Sequence, residues 1–129
     1  MPREYFKDAL AEDRGYSLAV KVTGGTRIYL AGLYVTETEA GESLAGNFDA
    51  QVRATFERMR GELARAGGTL DDLVTMTVFI TDMRHGARFT ELRRDYFTGG
   101  YPCSAMIRIA ALARPEMMVE IQATAVVGD

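Results

Sequence analysis

Residues 63–83 read LARAGGTLDDLVTMTVFITDM, which is the end of a helix, a glycine pair and a β-strand in direct succession. Apolar residues occupy every second position from 74 to 81, and this period of two predicts a strand with one apolar face. The residues upstream predict an amphipathic helix that Asn47 caps and that Gly67 and Gly68 end. Its apolar positions recur every three or four residues: Phe48, Val52, Phe56, Met59 and Leu63.

The remaining elements follow from the same periodicities and from turn residues. YSLAVKV and RIYLAGLYV predict two strands that TGGT joins as a hairpin, because its glycines supply the positive φ of a tight turn. A second helix and two closing strands, joined by a loop around Pro115, complete the order β-β-α-β-α-β-β. The predicted strands are 16–22, 27–35, 74–81, 103–111 and 117–127, and the second helix is 84–98. We therefore expect a single α+β domain over residues 1–129, with two helices on one face of a mixed sheet.

The last two predicted strands share a half-polar face. The residues on this face are Ser104, Met106, Arg108, Glu120, Gln122 and Thr124. If the two strands pair through a loop centred near residue 114, Arg108 lies directly across from Glu120. A half-polar face opposite the helices predicts either solvent contact or burial in an oligomer. Cys103 falls on the apolar face of its strand, so we expect a buried structural cysteine and not a nucleophile.

The composition is that of an acidic globular protein, with 129 residues, 47% of them hydrophobic, and a formal net charge of −3. Four arginines on the first predicted helix alternate with Glu57 and Glu62, which predicts a solvated face with ion pairs and no nucleic-acid surface. One histidine and one cysteine exclude a His/Cys metal cluster within one chain, and no cofactor motif is present. Without a membrane-length apolar run or a signal-peptide core, we expect a cytoplasmic protein.

Four segments together carry a resemblance to a known family: YLAGLYV, the 63–83 stretch, DYF followed by YP, and VEIQATAV. From about Tyr16 to Val127 the chain resembles the reactive intermediate deaminase superfamily, also called the RidA, YjgF or UK114 family. The resemblance implies a chorismate-mutase-like fold and a homotrimer, with three small-molecule clefts between subunits. It also implies cofactor-independent hydrolysis of reactive enamines and imines, which releases ammonia and a keto acid.

The resemblance assigns three site residues that this chain retains. Tyr16 matches the family's pocket tyrosine, Gly32 the glycine after the second strand, and Glu120 the glutamate thought to hold the attacking water. Glu120 would orient or deprotonate that water as a general base. Without the resemblance, a glutamate on a polar strand face is simply solvated or salt-bridged. Tyr16 either donates a hydrogen bond or packs.

Three pocket positions depart from the family. Ala31 stands for the usual serine, Thr90 for the usual asparagine, and Ser104 for the arginine that clamps the substrate's carboxylate. A hydrogen bond to a charged group contributes about 1.5–3 kcal/mol, so losing this clamp implies roughly 10- to 150-fold weaker handling of a 2-imino acid. Met106 and Arg108 complete the expected substrate-binding set. Arg108 is either an ion-pair partner of Glu120, a subunit-interface contact or a relocated anion clamp.

These observations predict a cofactor-independent hydrolase that deaminates an enamine, imine or related metabolite other than a simple 2-imino acid. The alternative is a non-catalytic trimer that binds metabolites or partner proteins in the same clefts. An intact Glu120 favours the enzyme, whereas the three altered positions favour the binding module. Ribonuclease activity, which is attributed to some relatives, disagrees with the acidic charge.

Overall fold

The structure, a computed structural model, describes residues 3–128. Its α-helices are α1 (Ala9–Arg14), α2 (Phe48–Arg65) and α3 (Gly86–Arg93). Its strands are β1 (Arg3–Phe6), β2 (Ala19–Val22), β3 (Thr26–Tyr29), β4 (Leu73–Ile80), β5 (Cys103–Arg108) and β6 (Val119–Val127). Short 3₁₀ turns lie at Leu70–Asp72, Met83–His85 and Arg94–Tyr96. Within the described range, no helix is both long and apolar enough to cross a bilayer.

The main sheet is mixed, as predicted, and has the strand order β3-β6-β4-β5. β4 pairs with β5 in parallel and with β6 antiparallel, while β3 pairs antiparallel with the outer side of β6. The parallel pair needs a crossover connection, which α3 and its flanking turns supply. The mixed α+β architecture expected from the sequence is therefore confirmed.

α2 packs its apolar stripe on one face of this sheet. Asn47 accepts a hydrogen bond from the Ala50 amide at 3.1 Å, and the helix ends where the Gly68 amide donates to the Leu63 carbonyl at 2.8 Å. All five predicted stripe residues are buried. Phe56 is fully buried and stacks on Tyr96 with ring centroids 4.4 Å apart. The prediction of this helix, its cap and its buried face is confirmed.

The arginines of α2 form the predicted solvated face. Arg60 pairs with Glu57, and Arg65 pairs with Glu62 at 2.9 Å, both three residues apart on the helix surface. Arg58 donates to the Tyr34 carbonyl at 2.6 Å. Such exposed pairs contribute little to stability, but they neutralise the charge that a polyanion would need.

The hairpin predicted between strands 16–22 and 27–35, which correspond to β2 and β3, does not form. β2 pairs with β1, a strand that no sequence pattern indicated, and β3 pairs with β6. Gly24 and Gly25 do have the expected positive φ, 77° and 85°, yet the strands they join belong to different sheets. The short N-terminal strand β1 occupies an edge of β2, so the residues of the turn alone did not determine the pairing.

The predicted pairing of the last two strands is also wrong. β4 lies between β5 and β6, so Arg108 is registered with Ile80, whereas Glu120 is registered with Phe79. Neighbouring Ile80 and Phe79 point to opposite faces of β4. Arg108 therefore lies on the helix-packed face and Glu120 on the open face, and they cannot form the expected cross-strand pair.

The same register corrects the expected environment of Cys103. It is registered with Thr75 on the open face of the sheet and is only half-buried. Ser104 and Met106 instead share the helix-packed face with buried Met76 and Val78. The apolar alternation of β5 therefore marks the face turned away from the helices, because β5 is the edge strand of the main sheet.

Candidate functional site

Two of the predicted site residues, Ala31 and Gly32, lie in an irregularity beside β6. The Leu30 amide donates to the Ala123 carbonyl at 2.9 Å, and Leu33 exchanges both backbone hydrogen bonds with Ile121 at 2.9 and 3.0 Å. Ala31 and Gly32 thus lie opposite the single residue Gln122 of β6, and two residues opposite one define a β-bulge. Leu30 and Leu33 make the backbone hydrogen bonds to β6, and Ala31 and Gly32 between them take no part in this ladder.

Glu120 packs against this bulge on the open face of the sheet. A Cβ atom built on Gly32 would lie 2.8 Å from Glu120 Oε2 and 2.9 Å from Cδ, so the carboxylate keeps this position only while residue 32 is glycine and would otherwise have to move aside. The Glu120 side chain is half-buried, and no hydrogen bond or ion pair joins its carboxylate to another described side chain. Both oxygens are therefore available to an incoming molecule. This arrangement can orient water or accept a proton.

The other predicted site residues lie on the helix-packed side of the sheet. Thr90 of α3 and Met106 of β5 line a cavity of about 700 Å³. The wall of this cavity comprises Asp13, Arg14, Met83, Gly86, Ala87, Thr90, Glu91, Arg94 and Met106. Thr90 donates its hydroxyl proton to the Gly86 carbonyl at 3.2 Å, which leaves the oxygen able to accept. Half-buried Ser104 lies two residues before Met106 on the same strand face.

A buried arginine of α3, Arg93, bonds to the backbone of Arg14 in the cavity wall, and no sequence pattern indicated this residue. Arg93 is only 4% exposed, and its guanidinium donates to Ser104 Oγ at 2.9 Å and to the Arg14 carbonyl at 2.8 Å. Its charge also lies near the rings of Tyr16 and Phe89, 5.8 and 5.4 Å from their centroids. Burial lowers the pKa of Arg93 to about 10, so the group stays protonated at neutral pH. The available signal was an arginine four residues after Phe89, on the buried side of its helix.

The predicted site residues thus form two groups on opposite faces of the sheet. Glu120, Ala31 and Gly32 lie at the bulge on the open face, while the side chains of Ser104 and Met106 project from the helix-packed face. Tyr16 and Thr90 belong with the second group through Arg93 and the cavity. Exposed Arg108 lies at the end of β5 and forms no ion pair with any described carboxylate.

His85, the single histidine, occupies the N-cap position of α3 without a side-chain capping hydrogen bond, and it stacks on Phe48 with centroids 4.4 Å apart. Among residues 3–128, no three histidine, cysteine, aspartate or glutamate side chains come close enough together to hold a metal ion. The chemistry of both residue groups is accordingly that of a carboxylate, hydroxyls and a guanidinium.

Known proteins share this fold and part of this sequence. The family model described as endoribonuclease L-PSP matches residues 6–127. Protein DfrA of Myxococcus xanthus is 35% identical over 86% of the chain and 84% of its own length. The crystal structure of YyfB, a Rid family protein of Yersinia pestis, is 25% identical with a TM-score of 0.85 and covers 98% of this chain and all of its own. RidA of an Antarctic Psychrobacter is 30% identical with a TM-score of 0.72, covering 87% and 88% of the two chains.

Proposed function

Because this chain belongs to the endoribonuclease L-PSP family, also known as the Rid or YjgF/UK114 family, we propose that it is a cofactor-independent hydrolase of an imine or enamine. The observation that carries the proposal is the Glu120 carboxylate, which packs over Gly32 while neither oxygen is paired with a side chain of residues 3–128. A half-buried carboxylate without a cationic partner is a suitable general base for water.

The reaction needs only water and proton transfers. Glu120 takes a proton from water as the oxygen attacks the imine carbon, and it passes that proton to the imine nitrogen to give a carbinolamine. Glu120 then takes the hydroxyl proton as the carbonyl forms and gives it to the nitrogen, so the carbon–nitrogen bond breaks and ammonia leaves. One imine and one water yield one carbonyl compound and one ammonia, so no electron acceptor is required.

A homotrimer would unite the two residue groups that one chain holds apart. In a cleft between subunits, Glu120 and Gly32 of one protomer face the cavity side of the next, where Ser104 and Thr90 lie. The open sheet face carries exposed apolar side chains, among them Tyr29 at 74% and Ile107 at 43%, which supports its burial in an oligomer. Light scattering is expected to give three times the chain mass at micromolar concentration. A monomer at that concentration contradicts the shared cleft.

Hydrolysis is tested by following ammonia release from imines generated in the assay. An amino acid oxidase converts a series of amino acids to their 2-imino acids, and catalase removes the peroxide. Addition of the protein is expected to accelerate ammonia release above the uncatalysed rate for an enamine supplied separately, and to act only weakly on the simple 2-imino acids, because Ser104 replaces the carboxylate-clamping arginine. The rate should scale with protein concentration. A flat response across imines and enamines, from folded trimeric protein, would reject the hydrolase.

The alternative is a trimer that binds metabolites in the same clefts without catalysis. The three departures from the family pattern, Ala31, Thr90 and Ser104, favour it because they change the pocket and not the scaffold. Ligands that raise the melting temperature without being converted are its expected signature, since binding to the folded state alone stabilises the protein.

A further inference from the structure

A buried glutamine of α2, Gln51, bonds to two segments that lead to the candidate site on the open face of the sheet. Gln51 is 1% exposed and belongs to the face of α2 that packs on the sheet. Its Nε2 donates to the Leu44 carbonyl at 3.0 Å and to the Glu116 carbonyl at 2.9 Å. Its Oε1 accepts from the Met118 amide at 2.9 Å. Both amide protons are thus used, and all three partners are backbone groups of segments outside α2.

The bonds to Glu116 and Met118 anchor the chain immediately before Glu120. Glu120 is the second residue of β6, and its position depends on how firmly the chain before the strand is held, because segments with few contacts open locally at little cost in free energy. The other hydrogen bond of the Met118 backbone, from the Thr81 amide to the Met118 carbonyl, is longer at 3.3 Å. Gln51 therefore makes the shorter of the two bonds that hold this residue.

The bond to Leu44 anchors the segment that carries Gly32. The Leu44 amide donates to the carbonyl of buried Thr36 at 2.8 Å, and Thr36 lies four residues after Gly32. One side chain therefore joins the chain that follows the bulge to the chain that precedes Glu120. An apolar side chain of the same length would fill the space but would leave two carbonyls and one amide without this partner.

We propose that Gln51 is a positioning residue, which holds the Glu120 carboxylate over Gly32 from the opposite side of the sheet. Among the described residues its side-chain amide bonds only to backbone groups, so it acts through the chain at 116–118 and not on a ligand. The role rests on the proposed function, in which the place of this carboxylate decides the rate. Hydrogen exchange tests the position and kinetics test its effect, so the two proposals fail separately.

Gln51→Met keeps the length of the side chain and removes all three hydrogen bonds. We expect hydrogen exchange in deuterated water, followed by ¹H–¹⁵N correlation spectra, to become about 10-fold faster at the Ile121 and Leu33 amides, which pair with each other beside the bulge. The amide of fully buried Ala125, near the other end of β6, should keep its exchange rate. An equal acceleration along all of β6, or none at Ile121 and Leu33, would overturn the proposal.

The kinetic test follows steady-state hydrolysis of the imine or enamine that the protein accepts. Gln51→Met should lower kcat by about 10²-fold, the cost of moving a catalytic group by about 1 Å, and should leave KM near that of the unaltered protein. Because Gln51 acts through Glu120, the substitution should add no further loss in the Glu120→Gln background. Full kcat in Gln51→Met, or losses that multiply in the double variant, contradict the proposal. If Glu120→Gln itself keeps full activity, the proposed function fails, and hydrogen exchange alone then decides the role of Gln51.

Thr55→Val is the matched control for Gln51→Met. Thr55 is fully buried one turn later on α2, and its hydroxyl donates to the Gln51 backbone carbonyl at 2.7 Å. No hydrogen bond joins its side chain to residues 116–118, so kcat and exchange at Ile121 should both be retained. A loss of kcat equal to that of Gln51→Met would show that any buried polar group of α2 affects the rate, which contradicts the specific role of Gln51.

Gln51→Asn replaces Gln51→Met if the latter fails to fold. The shorter side chain keeps the amide but cannot reach both segments at once, so we expect the same pattern of faster exchange and lower kcat with smaller changes. Unaltered exchange at Ile121 and unaltered kcat in Gln51→Asn would contradict the proposal.

Discussion

Glu120→Gln is expected to lower kcat for imine hydrolysis by about 10²- to 10⁴-fold, the range attributed to general acid–base catalysis. Glutamine keeps the shape of the side chain and still fits over Gly32, but its amide cannot accept the proton of the attacking water. Because no described side chain pairs with Glu120, the free energy of unfolding should change by no more than about 0.5 kcal/mol. Steady-state kinetics on the substrate found by the imine screen, with parallel urea unfolding, measure both quantities.

Two companion variants make the Glu120 result specific. Glu62→Gln, on the solvated face of α2, removes the same charge and should retain full activity. Gly32→Ala keeps the carboxylate but places a methyl group 2.8 Å from Oε2, so the flexible side chain must move aside. A displacement of about 1 Å can cost 10²-fold in rate, and we expect a loss of that order in kcat. Full activity in Glu120→Gln would show that another group activates the water.

The parts of the fold that follow a single periodicity could be predicted from the sequence. The stripe of Phe48, Val52 and Phe56 specifies α2 because one helix face must be buried, and Asn47 caps it as expected. The alternation in β4 likewise corresponds to a buried face and an open face. Both patterns arise because one face of a helix or strand is buried, so they can be recognised in the sequence itself.

Strand pairing was not predictable by the same means. β5 and β6 are adjacent in sequence, and adjacency favours pairing, but β4 lies between them. The face of β5 that bears Ile107 reads as a core face, although at the sheet edge it points away from the helices. Sequence alternation shows that a strand has two unlike faces. It does not show which of them the helices cover, because that depends on distant residues.

The site could be predicted residue by residue only where the family pattern is retained. Glu120 and Gly32 come together as the resemblance implies, with the physical reason visible in the missing Cβ. Ser104 seemed to leave the site without a cation, whereas Arg93 lies 2.9 Å from it. The sequence contains many possible ion pairs, so nothing in it indicates that Arg93 is buried without a carboxylate partner. Its burial without a carboxylate partner among residues 3–128 is a property of the tertiary structure, which no pattern in the sequence shows.

Phe56→Ala is expected to lower the free energy of unfolding by about 3–5 kcal/mol, the usual cost of truncating a fully buried phenylalanine. Phe56 is 0% exposed and contacts three further rings, with centroid distances of 4.4 Å to Tyr96 and 6.1 Å to both Phe89 and Phe97. Removing it loses apolar burial and leaves a cavity that the surrounding rings cannot fill. Urea unfolding at a fixed protein concentration measures the loss, since oligomerisation makes stability depend on concentration.

The same substitution links the core to the candidate site. Phe89, one of the rings packed on Phe56, lies on α3 between Gly86 and Arg93 and flanks the guanidinium of Arg93. A cavity beneath α3 should let the helix shift and lower kcat for imine hydrolysis, although no candidate site residue has changed. Phe56→Leu retains most of the apolar volume and should show smaller losses of both stability and activity. If Phe56→Ala were destabilised as expected but kept its activity, the position of Arg93 would be set by its hydrogen bonds to Ser104 and Arg14 and not by the packing of α3 on α2.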